Sequence, residues 1–141
     1  VIAGDADHDT GYSRQLKQAI ARDSDIVGTV YITGEKLNQV YSHAGLFVLP
    51  SFHEGLPIAL LEAMSYGLSV LVSDIPANQE VGLARERYFK TGDAADLKEK
   101  LTHHLAVPIA FEEKARFRRW IQEKYNWHKI ARQTIQVYQE L

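Results

Sequence analysis

Polar and apolar positions follow two rhythms along this chain. Gly45-Leu46-Phe47-Val48-Leu49 and Ser69-Val70-Leu71-Val72-Ser73 are short apolar runs, and each reads as a strand buried on both faces. Between them, Ile58 to Met64 is apolar on nearly every side, which predicts a helix wrapped by protein all round. Glu62 is the only charge in that run, and a carboxylate inside an apolar helix costs several kcal/mol unless hydrogen-bond donors surround it.

Helical spacing dominates elsewhere. Asp9 or Thr10 is placed to cap a helix from about Gly11 to Arg22, with Tyr12, Leu16, Ala19 and Ile20 as its inner face. Thr33 and Gly34 open a helix over Glu35 to His43 with the stripe Leu37, Val40, Tyr41 and Ala44. Val1-Ile2-Ala3 and Ile26-Val27-Gly28 read as short strands, as does Arg87 to Lys90. A helix is predicted from about Ala94 to Leu105, capped by Asp93 or Asp96, and another from Phe111 to Lys124 with Phe117, Trp120, Ile121 and Lys124 in one stripe. Asn126 caps a last helix whose stripe is Trp127, Ile130, Ala131, Thr134, Ile135, Tyr138 and Leu141. Alternating strands and helices predict an α/β fold: a Rossmann-like three-layer sandwich around a parallel sheet with right-handed crossovers.

Composition narrows the class. A chain of 141 residues with 45% hydrophobic content has enough material for one core. Its 16 Lys and Arg against 18 Asp and Glu give a net charge of -2, which argues against a nucleic-acid partner. There is no cysteine, hence no disulfide framework or thiolate metal site. His103-His104 diverge by about 100° on a helix, so a metal site there is not expected. Lys114, Arg116, Arg118 and Arg119 read as a solvated face supported by Glu112 and Glu113. The start lacks an initiator Met, and a piece of something longer is expected.

The candidate chemistry sits between the two apolar runs. Gly55 lets backbone approach a ligand closely, and Pro57 suits the first position of a helix. That helix would start just past a strand's C-terminal end, where open parallel sheets bind ligands, with free N–H groups and a positive dipole end suited to phosphate. Taken singly, Glu62 also fits a structural carboxylate and Glu54 an ordinary loop acid.

Pro50-Ser51, Glu54-Gly55-Leu56-Pro57, Leu61-Glu62-Ala63-Met64 and Gly67 together resemble the E-x7-E signature of retaining nucleotide-sugar glycosyltransferases of family four, which have the GT-B fold. Ile26-Val27-Gly28 resembles that family's F-x-G step, and Tyr125-Asn126-Trp127 with Ile130-Ala131 resembles its closing helix. The resemblance implies the C-terminal, donor-binding half of such an enzyme, spanning residues 1–141. It implies that Glu62 accepts from ribose hydroxyls and that Glu54 acts at the donor sugar as the catalytic carboxylate. It further implies that Ser51 and the backbone of Gly55, Leu56, Pro57 and Ile58 face sugar and diphosphate, and that Thr29 and Val30 line the nucleobase pocket. Pro57 stands where many relatives have Gly, so the amides of Leu56 and Ile58 would have to serve. Glu80-Val81 fits the family's Glu-Ile, whereas Pro76-Ala77-Asn78 replaces its glycines; Glu80 reads as an acid bracing the sheet edge.

The expected donor is a UDP-, GDP- or ADP-linked sugar, with no cofactor and no metal. The expected partner is an N-terminal acceptor-binding domain of the same protein. The expected location is cytoplasmic, with membrane contact only at the periphery of the inner face. The family's second half usually begins one strand earlier, with an Arg and a Lys that grip the diphosphate, so this piece alone is expected to transfer nothing. A nucleotide-sugar epimerase and a non-catalytic Rossmann-like binding module are the alternatives.

Overall fold

The computed structural model describes every residue except Asp7 and Leu141. The chain separates into two compact units, Val1–Ser42 and His43–Leu141.

In the first unit, α1 (Gly11–Arg22) starts at Thr10, whose side chain accepts from the Ser13 amide while the Ser13 hydroxyl accepts from the Thr10 amide. Two orphan donors of the helix start are thereby satisfied reciprocally. Its inner face is Ser13, Leu16 and Ile20, not the face centred on Tyr12, which is 74% exposed. Phase decides this: the capping box turns Ser13 inward, and the i, i+3, i+7 row follows it. The N-terminal strands expected around Ile2 and Val27 shrink to one parallel bridge, Ile2 to Gly28, with Ile2 N–H donating to Val27 O at 2.8 Å and Thr29 N–H to Ile2 O at 2.9 Å. A Cβ on Gly28 would lie 3.0 Å from Ile20 Cγ2, so a larger residue there would have to push the Ile20 side chain aside. Helix α2 (Gly34–His43) keeps Leu37 and Val40 half-buried and Tyr41 buried, as its stripe predicts.

The second unit holds a parallel three-stranded sheet in the order β1 (Leu46–Leu49), β2 (Ser69–Ser73), β3 (Tyr88–Phe89), with Leu46 opposite Ser69 and Val72 opposite Tyr88. All five residues of β2 are buried, as expected of a strand with neighbours on both sides. Strand β1 is only half-buried along its length, because it is the outer strand of this sheet. Helices α3 (Ile58–Ser65) and α5 (Ala94–Ala106) pack on the sheet, and α6 (Phe111–Lys124) packs on α3. A short helix α4 (Pro76–Gln79) and a 3-10 turn at Arg85–Arg87 fill the path from β2 to β3, shortening the expected third strand by two residues.

Helix α3 is not wrapped on every side. Leu60, Leu61, Ala63 and Met64 are buried, but Ile58 is 60% exposed and Glu62 and Ser65 are exposed with it. Positions 58, 62 and 65 lie on one face at i, i+4, i+7 spacing, so the expected buried carboxylate is a surface one and carries no burial penalty of the kind foreseen. The helix ends in a Schellman turn: Leu68 N–H donates to Ala63 O and Gly67 N–H to Met64 O, with Gly67 at φ +71°. Arg118 Nη2 donates to Tyr66 O at 2.8 Å, so this guanidinium caps α3 and is not merely part of a solvated face.

A buried polar cluster ties β2 to the helices. Arg87 Nη1 donates to Ser69 Oγ at 2.6 Å and lies 3.3 Å from His104 Nδ1, while Nη2 donates to Glu113 Oε2 at 2.9 Å. A guanidinium only donates, so Nδ1 accepts and the His104 ring is the neutral tautomer whose Nε2–H donates to Glu86 O at 2.9 Å. Adjacent His103 is exposed, so the pair diverges as the helix geometry requires.

The last helix, α7 (Trp127–Gln139), is capped by Asn126 Oδ1, which accepts from Lys129 N–H. Its apolar stripe is present, with Trp127, Ile135 and Tyr138 exposed; Leu141, its last member, lies outside the described residues.

Two changes test this frame by urea unfolding. Gly67→Ala forces a left-handed backbone on a Cβ that would sit 3.1 Å from Arg118 Nε, and it lowers stability by about 1–2 kcal/mol. Arg87→Ala removes the donor that Ser69 and His104 Nδ1 share in the buried cluster, leaves Glu113 with Arg116 alone at 3.7 Å, and costs about 2–3 kcal/mol.

Candidate functional site

The loop from Pro50 to Pro57 leaves the C-terminal end of β1 and enters α3. At its centre the Ser51 hydroxyl donates to Glu54 Oε1 at 2.7 Å. The carboxylate is half-buried, and its second oxygen takes no donor from the described residues. Ser51 and Glu54 are thus brought into direct contact three residues apart.

The entrance to α3 is tighter than the sequence implied. Pro57, with φ −75° and ψ 69°, caps the helix from outside and does not open it, and it forms the centre of an inverse γ-turn in which Ile58 N–H donates to Leu56 O at 2.8 Å. One of the two amides expected to face a phosphate is therefore already engaged. Pro57 O accepts from both Leu60 and Leu61 N–H, which holds the helix start against the loop. Phe52, Leu56 and Ile58 are exposed apolar side chains on this same segment. Glu62 stands one turn past Ile58 on the exposed face of α3.

Thr29 and Val30 belong to the first unit. Thr29 is half-buried, and its hydroxyl accepts from Gly4 N–H at 3.4 Å, while Val30 is exposed.

A second layer, missed by sequence reasoning, backs the loop. Ser73 Oγ donates to Ser51 O at 2.6 Å, and Asn78 Nδ2 donates to Ser73 O at 2.9 Å and Ser73 Oγ at 3.2 Å. Both side chains are fully buried. Nothing in the sequence singles Asn78 out, since Asp74, Gln79 and Glu80 stand beside it as further polar residues of the same segment. Glu80, expected to brace this edge, is exposed, and Asn78 and Asp74 hold the edge instead. Asp74 Oδ1 accepts from the Thr91 hydroxyl at 2.6 Å and the Thr91 amide at 2.8 Å, joining the ends of β2 and β3. These bonds, the hydroxyl first, hold the Asp74 carboxyl below its ordinary range. Burial pushes the Tyr88 phenol up; its oxygen accepts from Leu83 N–H and donates to Asn78 O. A cleft of about 510 Å³ lies beside β3, lined by Asp74, Arg85, Tyr88, Lys90 and Lys100 among others, and none of the sequence-predicted site residues lines it. No helix among the described residues is long and apolar enough to cross a membrane.

Set beside known proteins, residues 1–106 match the family described as glycosyl transferases group 1. The chain is 28% identical over 138 residues to the serotype-specific mannosyltransferase WbdA of Escherichia coli, covering 95% of this chain and 17% of that one. It is 33% identical over 120 residues to the alpha-maltose-1-phosphate synthase of Mycobacterium tuberculosis, covering 78% of this chain and 31% of the relative. The fold superposes on sucrose-phosphate synthase from Thermosynechococcus elongatus with a TM-score of 0.83 at 25% identity, covering 97% of this chain and 36% of that one. The chain therefore spans well under half the length of these relatives.

Because the folded Asp74 pKa is depressed, its contribution to stability is present above the unfolded value and is lost as pH falls through the folded one. In Thr91→Val the Asp74 titration moves up toward the ordinary carboxylate value, read by carbon-detected NMR; an unmoved titration would show that the hydroxyl has no such role.

Proposed function

Because this chain belongs to the group 1 glycosyl transferases, we propose that it is the donor-binding half of a retaining GT-B enzyme that takes a sugar from a nucleoside diphosphate. The observation that carries the reading is Glu54: a carboxylate at the C-terminal end of a parallel strand, one oxygen held by Ser51 and the other left to accept. An ionised carboxylate only accepts, so the complementary ligand groups are donors, and the hydroxyls of a sugar are such donors.

In this reading Glu54 orients the donor sugar by its hydroxyls. Glu62, on the exposed face of α3, takes the ribose hydroxyls one turn from Ile58. The positive end of α3 and the Leu56 amide stabilise the negative charge that develops on the departing diphosphate, a task that preorganised donors perform at no reorganisation cost. The exposed Phe52, Leu56 and Ile58 supply apolar contact around these polar anchors, the composition usual for small-molecule sites. Thr29 and Val30 serve the nucleobase, Ser51 and the Gly55 and Pro57 backbone the sugar and diphosphate. Neither glutamate acts as a nucleophile at the anomeric carbon, and no metal or other cofactor takes part.

The acceptor comes from elsewhere. An N-terminal acceptor-binding domain of the same protein completes the cleft, and the exposed apolar stripe of α7 suits a surface that another domain covers. The enzyme works in the cytoplasm, with any membrane contact peripheral on the inner face.

Calorimetric titration with UDP, GDP and ADP tests the reading. One of the three binds, and Glu62→Ala weakens it about tenfold, the worth of a hydrogen bond to a charged group. Unchanged affinity in Glu62→Ala would remove the ribose role. Assays of the isolated chain with several nucleotide sugars show no transfer; robust turnover would overturn the assignment to a donor-binding half.

A further inference from the structure

The second layer behind the Glu54 loop has a direction that the chemistry of its groups imposes. Asn78 Nδ2 can only donate, so Ser73 Oγ, 3.2 Å away, accepts from it. The single proton of Ser73 is then left for Ser51 O, at 2.6 Å. Ser51 in turn gives its own hydroxyl proton to Glu54 Oε1, a carboxylate oxygen that only accepts. From the buried amide to the half-buried carboxylate every hydrogen bond therefore has one orientation, and no hydroxyl has a competing partner among the described residues.

The anchors of this chain are rigid. Ser73 is the last residue of the fully buried β2, and Asn78 lies on α4, five residues further on. Tyr88 OH donates to Asn78 O at 3.3 Å and ties α4 to β3. The Glu54 loop has little else of its own to hold it: Phe52, His53, Gly55 and Leu56 are exposed. A hydrogen bond from the central strand to Ser51 O is thus the fixed point from which the carboxylate is aimed.

We infer that Ser73 and Asn78 are positioning residues for Glu54, acting through Ser51 to turn the free carboxylate oxygen toward the donor sugar. The inference rests on the donor-site reading for what the carboxylate does, but not for how it is held. By holding Oε1, the relay fixes the direction in which the Glu54 carboxylate is presented, so its loss affects recognition of the sugar and not of the nucleotide.

Two measurements separate the claims. In the ligand-free protein, the backbone 15N order parameters of residues 51–54 fall below about 0.6 in Ser73→Ala from the rigid range of the unmutated protein, with thermal melting confirming that the variant is folded. Unchanged order parameters overturn the relay, whatever the ligand. In calorimetry with UDP-glucose, GDP-mannose and ADP-glucose against the bare nucleotides, Ser73→Ala weakens the sugar nucleotide about five- to tenfold and leaves the bare nucleotide within about twofold. Equal losses for both ligand types overturn the positioning role. An unmutated protein that binds none of these ligands sinks the donor-site reading instead, and the relaxation experiment still decides the relay.

Discussion

The central strand β2 is pinned at both ends by a serine hydroxyl, and the second unit is arranged around those two points. Ser69 at its start receives the Arg87 guanidinium, and Ser73 at its end receives the Asn78 amide. Between them Val70, Leu71 and Val72 are fully buried. Apolar burial alone is non-directional and tolerates sliding of one layer over another. Buried hydrogen bonds are not so tolerant, since leaving one unmade costs the desolvation of its group. The serines therefore convert a greasy strand into one with a fixed register against α4, α5 and α6.

The two ends serve different purposes. At the start, Arg87 links Ser69, His104 and Glu113, three elements apart in sequence, and the consequence is a stable junction of sheet and helices. At the other end the hydrogen bonds run outward, through Ser73 to Ser51 and on to Glu54. Parallel sheets place their ligand crevices at the C-terminal ends of strands, and it is at this end that the stabilising bonds reach a carboxylate with a free oxygen. Rigidity generated by the core is delivered to a loop that has few contacts of its own.

Helix α3 shows why the exposed surface matters as much as the core. An apolar helix of eight residues with one exposed face presents Ile58, Glu62 and Ser65 where a fully wrapped helix would present nothing. The carboxylate of Glu62 is accessible without any penalty of burial. The inverse γ-turn at Pro57 consumes the Ile58 amide, so the helix dipole and the Leu56 amide are what this entrance can offer an anion. With Phe52 and Leu56 also exposed, the segment combines apolar surface with two carboxylates.

Much of this was legible in the chain itself. Continuous apolar runs located β1, β2 and α3, the caps Thr10, Asp93 and Asn126 follow from side chains that satisfy orphan amides, and the spacing of Glu54 and Glu62 with its flanking motifs pointed to the family. These features are local, and local chemistry is what a sequence displays. The face of α1, the exposure of α3 and the shortness of the N-terminal pairing depended on which neighbours each element meets, and a hydrophobic pattern does not name its neighbours. Asn78 and Ser73 lie 5 residues apart and meet through the turn from β2 into α4, whereas Ser73 and Ser51 lie 22 residues apart and meet only through the parallel register of β1 beside β2. Sequence determined the elements and the kind of chemistry; tertiary structure decided which groups hold the carboxylate, because long-range hydrogen bonds exist only once the sheet has set the register.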